Sequence, residues 1–187
     1  MIKTLTAVAT ALLLASTAQA ATTVTVDAFA DSYNGGAGAG LDSGLLLAAG
    51  ESFSVTAAAS DLWSAGGLPR WSNADGLTGD TYATGSDESG QLAGTQIGTN
   101  FGPYAGFFYG ELVGQIGTGA YFAIGTNFSG TANASGALKL FYWDSNNGDN
   151  SGSVVATIST VPEPGSIALM LAGLGIIGGL ARRRAKN

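Results

Sequence analysis

The chain has 187 residues, 13 of them acidic and 7 basic, for a formal net charge of −6; only 11% of its residues are charged, while 45% are hydrophobic and 30 are glycine. It contains no cysteine and no histidine. Disulfides, a lipid-modified N-terminal cysteine, thiolate chemistry, zinc sites built on Cys or His and imidazole catalysis are therefore excluded, and function falls to carboxylates, amides, hydroxyls, aromatic rings and the backbone.

The charges separate into a middle and two ends. Residues 21–160 hold twelve of the acids and only two basic side chains, Arg70 and Lys139, a net charge of −10. Such a segment repels nucleic-acid phosphates and suits cations or neutral ligands, so nucleic acid is not an expected partner.

Residues 1–20 read as a secretory signal peptide. Lys3 is followed by an apolar run over 7–15, and Ala18-Gln19-Ala20 precedes Ala21 with small residues at the positions signal peptidase requires. The mature chain is expected to start at Ala21 outside the cytoplasm.

The middle, 21–160, reads as one all-β domain. Period-two alternation buries Val24, Val26 and Ala28 over 22–30, and Phe53, Val55, Ala57 and Ala59 over 52–59. Further runs lie at Leu112-Val113, at 120–124, at 136–143 with Leu138, Leu140 and Tyr142 on one face, and at 153–160 with Val154, Ala156 and Ile158. Short alternating runs separated by Gly, Asn, Asp and Ser predict an antiparallel sandwich or barrel. The glycine-rich stretch 34–40 reads as a loop, and the long stretch 64–106 as a functional or partly disordered excursion. Asn127-Phe128-Ser129 and Asn133-Ala134-Ser135 fit the N-glycosylation pattern but read as polar turns.

The most chemically loaded segment is Asp144-Ser145-Asn146-Asn147-Gly148-Asp149-Asn150-Ser151-Gly152, between two strand patterns. It concentrates the oxygens a hard cation such as calcium takes. The same residues are the preferred ones of an ordinary hairpin loop, and composition leaves both readings open. An EF-hand is excluded because Val155 stands where the bidentate Glu belongs. Asp87-Glu88 cannot flank one bond from adjacent positions on an extended segment, so no enzyme activity is expected.

At the C-terminus, Pro162-Glu163-Pro164 precedes fifteen apolar residues, 167–181, and then Arg182-Arg183-Arg184-Ala185-Lys186. As a helix, 167–181 spans about 22 Å, marginal against a hydrocarbon core of ~30 Å. The arginines stay cytoplasmic by the positive-inside rule, which leaves 21–160 on the outer side of that membrane.

Two resemblances follow from these residues. The Pro-Glu-Pro, apolar helix and arginine tail over 161–187 resemble the PEP-CTERM sorting signal of Gram-negative bacteria. That resemblance implies transient inner-membrane anchoring, processing by an exosortase, and delivery to the cell surface or extracellular matrix.

Residues 109–117, 122–125 and 135–144, together with the Asp149-Asn150-Ser151-Gly152 turn, are similar to the PA-I-type galactophilic lectins of bacteria. This resemblance implies a jelly-roll-like β-sandwich, one Ca2+ that coordinates sugar hydroxyls directly, and assembly into a homo-oligomer. It maps the calcium ligands onto Asp144, the Asn146 carbonyl, Asp149 and Asn150, with a further carbonyl near residues 63–65. Gln91 takes the place of the family's sugar-contacting glutamine, while its histidine has no counterpart here. Apart from the resemblance, Trp63, Trp71, Tyr104, Phe107 and Phe108 are candidates to stack on sugar faces, with packing in the core or at its rim as the alternative for each. The expected function is calcium-dependent binding of carbohydrate or exopolysaccharide. The alternative is a structural matrix protein that calcium merely stiffens.

Overall fold

The computed structural model describes residues 21–66, 71–79, 81–82, 96–98, 103–161, 171, 173–175 and 182. The expected signal peptide at 1–20, Gln91, the Pro162-Glu163-Pro164 motif, Arg183, Arg184 and most of the apolar stretch lie outside them. Among the described residues no helix is long and apolar enough to cross a membrane.

The described chain is antiparallel β throughout its middle. One sheet contains β1 (Thr22–Asp27), β3 (Ser52–Ala57), β4 (Trp63–Ser64), β5 (Trp71–Ser72), β12 (Asn127–Thr131) and β14 (Ser151–Val161). Its order is β12-β3-β14-β4-β5, with β1 also on β14. The second sheet, in the order β11-β10-β13-β2, contains β2 (Leu41–Leu47), β10 (Leu112–Ile116), β11 (Phe122–Ala123) and β13 (Gly136–Tyr142). Two small pairs, β6 (Thr81–Tyr82) with β7 (Gln96–Gly98) and β8 (Pro103–Tyr104) with β9 (Phe107–Phe108), occupy the long excursion.

The alternation in the sequence decides which face is buried. Val26, Phe53, Val55, Val154, Ala156 and Ile158 from the first sheet meet Leu112, Ile116, Leu138, Leu140 and Tyr142 from the second in one core. Each fully buried aliphatic or aromatic side chain contributes roughly 1.5–3 kcal/mol relative to exposure, so this shared core holds the two sheets together.

β14 organises the first sheet. It pairs with β1 over Ser153 to Ile158, with β3 over Ala156 to Val161, and with β4 at Ser151 and Gly152. Between the β4 and β3 pairings the Val155 N–H would lack a partner, and the Asp61 carboxylate accepts it at 2.7 Å.

Three expectations need correction. Asn127-Phe128-Ser129 is not a turn but the start of β12, in register with β3. The Phe128 ring packs at 5.0 Å from both Phe53 and Phe122, and that packing outweighs the turn preference of its polar neighbours. β1 stops at Asp27 rather than running to residue 30, because the Asp27 carboxylate accepts the Phe29 and Ala30 N–H groups and turns the chain. Trp63 is fully buried. Its indole N–H donates to the Gly110 carbonyl at 2.8 Å and its ring meets Tyr142 edge-on, so it belongs to the core and offers no face to a sugar.

Candidate functional site

The acidic loop connects β13 to β14, the two longest-range organisers of their sheets, and so sits at one pole of the domain. Asp144 follows immediately after Trp143, whose N–H donates to the Glu111 carbonyl at 3.0 Å. The Asp144 carboxylate folds back to accept the Asn146 N–H at 3.1 Å, an Asx turn that starts the loop. The Asn146 side-chain oxygen does the same for the Gly148 N–H at 3.0 Å, and the Asn150 N–H closes the loop on the Asn147 carbonyl at 3.1 Å.

The end of the expected 22–30 strand and the start of the expected 34–40 loop together brace this segment. Asn150 Nδ2 donates to the Ala28 carbonyl at 3.1 Å, and Asn147 Nδ2 donates to the Phe29 carbonyl at 2.9 Å. The Gly35 N–H donates to the Asp144 carbonyl at 3.2 Å. Asn34 and Gly35 both have positive φ, 46° and 65°, which lets the backbone turn close enough to reach. The Asn-Gly-Gly run at 34–36 was the visible signal of a tight turn; its partner, more than a hundred residues away, was not.

Two carboxylates face this loop. Asp144 is only 5% exposed. Burial pushes its carboxyl above the ordinary aspartate range, the Asn146 and Ser145 N–H groups and the Asn150 side chain pull it back, and the charge of Asp149 pushes it up again. Asp149 packs against the Cα of Gly66, whose φ of 100° and missing side chain leave room for the carboxylate. Within residues 21–161 the only described cationic side chain is Lys139, on β13 in register with Asp42 and not with this pair.

Asn150 supplies the deciding observation. It is 7% exposed, its Nδ2 is engaged with Ala28, and its Oδ1 is buried with no hydrogen-bond partner. A buried acceptor left unmade costs roughly 1–3 kcal/mol, and such atoms in native structures call for an explanation. An unpaired oxygen beside two carboxylates in mutual repulsion fits a hard cation, which takes carboxylate, amide and carbonyl oxygens together. Among the described residues no three His, Cys, Asp or Glu side chains group to hold a metal, so amide and main-chain oxygens must complete any shell.

The sheet brings two more predicted elements to this pole. Ser151 pairs with Ser64, and Ser64 pairs with Trp71, so these three residues form one row across β14, β4 and β5. Two antiparallel steps put the Trp71 Cα roughly 10 Å from that of Ser151. The same pairing sets residues 63–65, expected to supply a carbonyl, next to the end of the acidic loop. Trp71 is half-buried, as are Tyr104, Phe107 and Phe108. Phe107 and Tyr104 lean on Trp143 and Tyr109 respectively, forming an aromatic wall beside Ser145, whose hydroxyl lies 3.4 Å from the Tyr109 hydroxyl.

Comparison with known proteins identifies one segment. A family model described as the PEP-CTERM protein-sorting motif matches residues 160–185. The chain carries an exosortase-dependent sorting motif. The motif implies export and transient membrane anchoring, and its match begins at Thr160, within the last two residues of β14. No curated protein matches the chain. Among solved structures, the N-terminal domain of EclA, described as a PllA-like lectin, is similar over 74% of this chain and 94% of its own, with a TM-score of 0.48 and 18% identity. A similarity at that level carries no assignment of residues or ligand.

Proposed function

We propose that the domain is an exported calcium-dependent carbohydrate-binding module with a jelly-roll-like topology, delivered to the cell surface or matrix by its sorting motif. The unpartnered Asn150 Oδ1 beside Asp144 and Asp149 carries this reading. Asp144, Asp149 and Asn150 would hold the ion through side-chain oxygens, with main-chain carbonyls of Asn146 and of residues 63–65 completing the shell. A bound calcium would supply an electrophilic centre for neighbouring sugar hydroxyls. The domain's own residues would orient the sugar, with Trp71 offering a ring face on the adjacent row. No catalytic role is part of the proposal.

A second reading has its own support. The contacts of Asn150, Asn147 and Gly35 join 28–36 to 144–150, so an ion there would also staple two segments far apart in sequence in a domain without disulfides. A glycan array probed with the mature domain in calcium and in EDTA separates the two. Glycan binding that EDTA abolishes supports the module. Calcium-dependent melting with no glycan binding supports the structural role, and equal melting in calcium and EDTA rejects the ion altogether.

A further inference from the structure

We propose that the uncut protein stands on the membrane on one particular pole, the one built by loops 48–51, 117–120 and 132–135, with the acidic pole turned away. The inference does not depend on the carbohydrate reading. It rests on where the last strand ends and on how the charges are distributed.

β14 runs the length of the first sheet, from the acidic loop to the sorting motif. Its first residue, Ser151, follows Asn150 directly, and its last, Val161, is still in the ladder opposite Ser52. The next residue is Pro162, so no linker separates the fold from the motif. Ser52 also pairs with Thr131 of β12. The loops nearby interlock: the Gly50 N–H donates to the Ala132 carbonyl at 2.9 Å, the Ala49 N–H to the Ser135 hydroxyl at 2.9 Å, and Asn133 Nδ2 to the Ala120 carbonyl at 3.1 Å. These loops therefore form a single surface around the junction.

Chain lengths restrict the orientation. Six residue steps, through 162–166, lead from Val161 to the first residue of the apolar stretch, and fully extended they reach roughly 21 Å. Ten residue steps along β14 place Ser151 roughly 33 Å from Val161. Laying the acidic pole on the membrane would lift Val161 about that far from the surface, roughly one and a half times what the tether spans. Inversion is thus excluded by covalent reach.

Charge separates the upright stance from one lying on its side. Of the twelve residues in the junction loops only Glu51 is charged, and its carboxylate accepts the Ala48 N–H at 2.9 Å; the others are Ala, Gly, Ser, Thr and Asn. Leu46, 76% exposed, adjoins the same end. The opposite pole carries Asp27, Asp31, Glu111, Asp144 and Asp149. A bilayer surface bearing anionic lipid repels that pole and tolerates the small neutral one. Standing upright, the uncut protein presents the candidate ligand pole outward.

The absence of cysteine makes the test direct. Full-length protein with a single Ala49→Cys, Thr118→Cys or Ser145→Cys substitution is labelled with a fluorophore and reconstituted in vesicles of phosphatidylethanolamine and phosphatidylglycerol containing headgroup-nitroxide lipid. Residues 49 and 118 should be quenched several-fold more than 145. A twenty-residue Gly-Ser insert between Val161 and Pro162 should shrink the difference by removing the limit on reach, and the insert combined with high salt, which screens the acidic pole from the anionic lipid, should erase it. Equal quenching at the three sites without the insert, stronger quenching at 145, or a difference unchanged by the insert in high salt would each overturn the proposal.

Discussion

Gly66 and Asp149 fit together as socket and plug: a Cβ on Gly66 would collide with both carboxylate oxygens of Asp149. Gly66→Ala is therefore expected to displace that carboxylate and to strain a backbone with φ of 100°, at a cost of about 1–3 kcal/mol. Melting in EDTA should fall by that strain, and the calcium-dependent increment should shrink as well. An increment equal to that of the wild type would show that Asp149 does not hold the ion.

Asp144→Asn should have opposite effects with and without calcium. In EDTA it removes a buried charge and its repulsion with Asp149 while leaving an oxygen for the Asn146 N–H, so stability should rise. In calcium it should lose most of the stabilisation the ion confers, about 2.7 kcal/mol at a hundredfold excess over Kd. Paired thermal denaturation in the two buffers checks the reversal of sign.

Glu111 predicts a pH dependence independent of any ion. Its carboxyl lies above the ordinary glutamate range, mainly from burial and then from the charge of Asp75, even though the Phe108 N–H donates to it at 2.8 Å. The native state therefore binds more protons than the unfolded chain between the ordinary value and the raised one. Stability contributed by this group is full below the ordinary value and falls as pH rises through that window. Glu111→Gln keeps an acceptor for Phe108 and should flatten this part of the curve in urea titrations across pH, with a gain in stability at neutral pH.

Trp71→Ala should weaken glycan binding without abolishing it. One ring contact is worth roughly 0.5–1.5 kcal/mol beyond area burial, a two- to tenfold loss of affinity. Asp149→Ala should instead eliminate binding on the same array. Titration of each variant against one responding glycan distinguishes the two.

The sheets were legible in the sequence wherever one face meets the core and the other meets water. Val154, Ala156 and Ile158 on β14, and Leu138 and Leu140 on β13, alternate cleanly and are buried as expected. β2 was missed because Leu45 and Leu46 blur the period, and Leu46 points outward at 76% exposure. β12 was missed because Asn127 and Ser129 are turn formers whose strand geometry depends on contacts Phe128 makes with distant rings. The acidic loop was legible as a concentration of oxygen donors in Asp144, Asn146, Asp149 and Asn150. What supports it, Ala28, Phe29, Asn34 and Gly66, was not, because those contacts cross the chain at separations that no local pattern encodes.

The central place of β14 also orders events in time. It is the last of the described strands to be synthesised, yet β1, the first, pairs with no other strand among the described residues, and the Thr22–Ile158 pair spans nearly the whole domain. A nascent chain that has emerged only as far as β13 therefore has a first strand without a neighbour and a core missing Val154, Ala156 and Ile158. High contact order of this kind makes folding slow and makes it wait for distant segments to arrive. Since the residue after β14 already belongs to the sorting motif, the domain can close only once synthesis has reached the segment that tethers it.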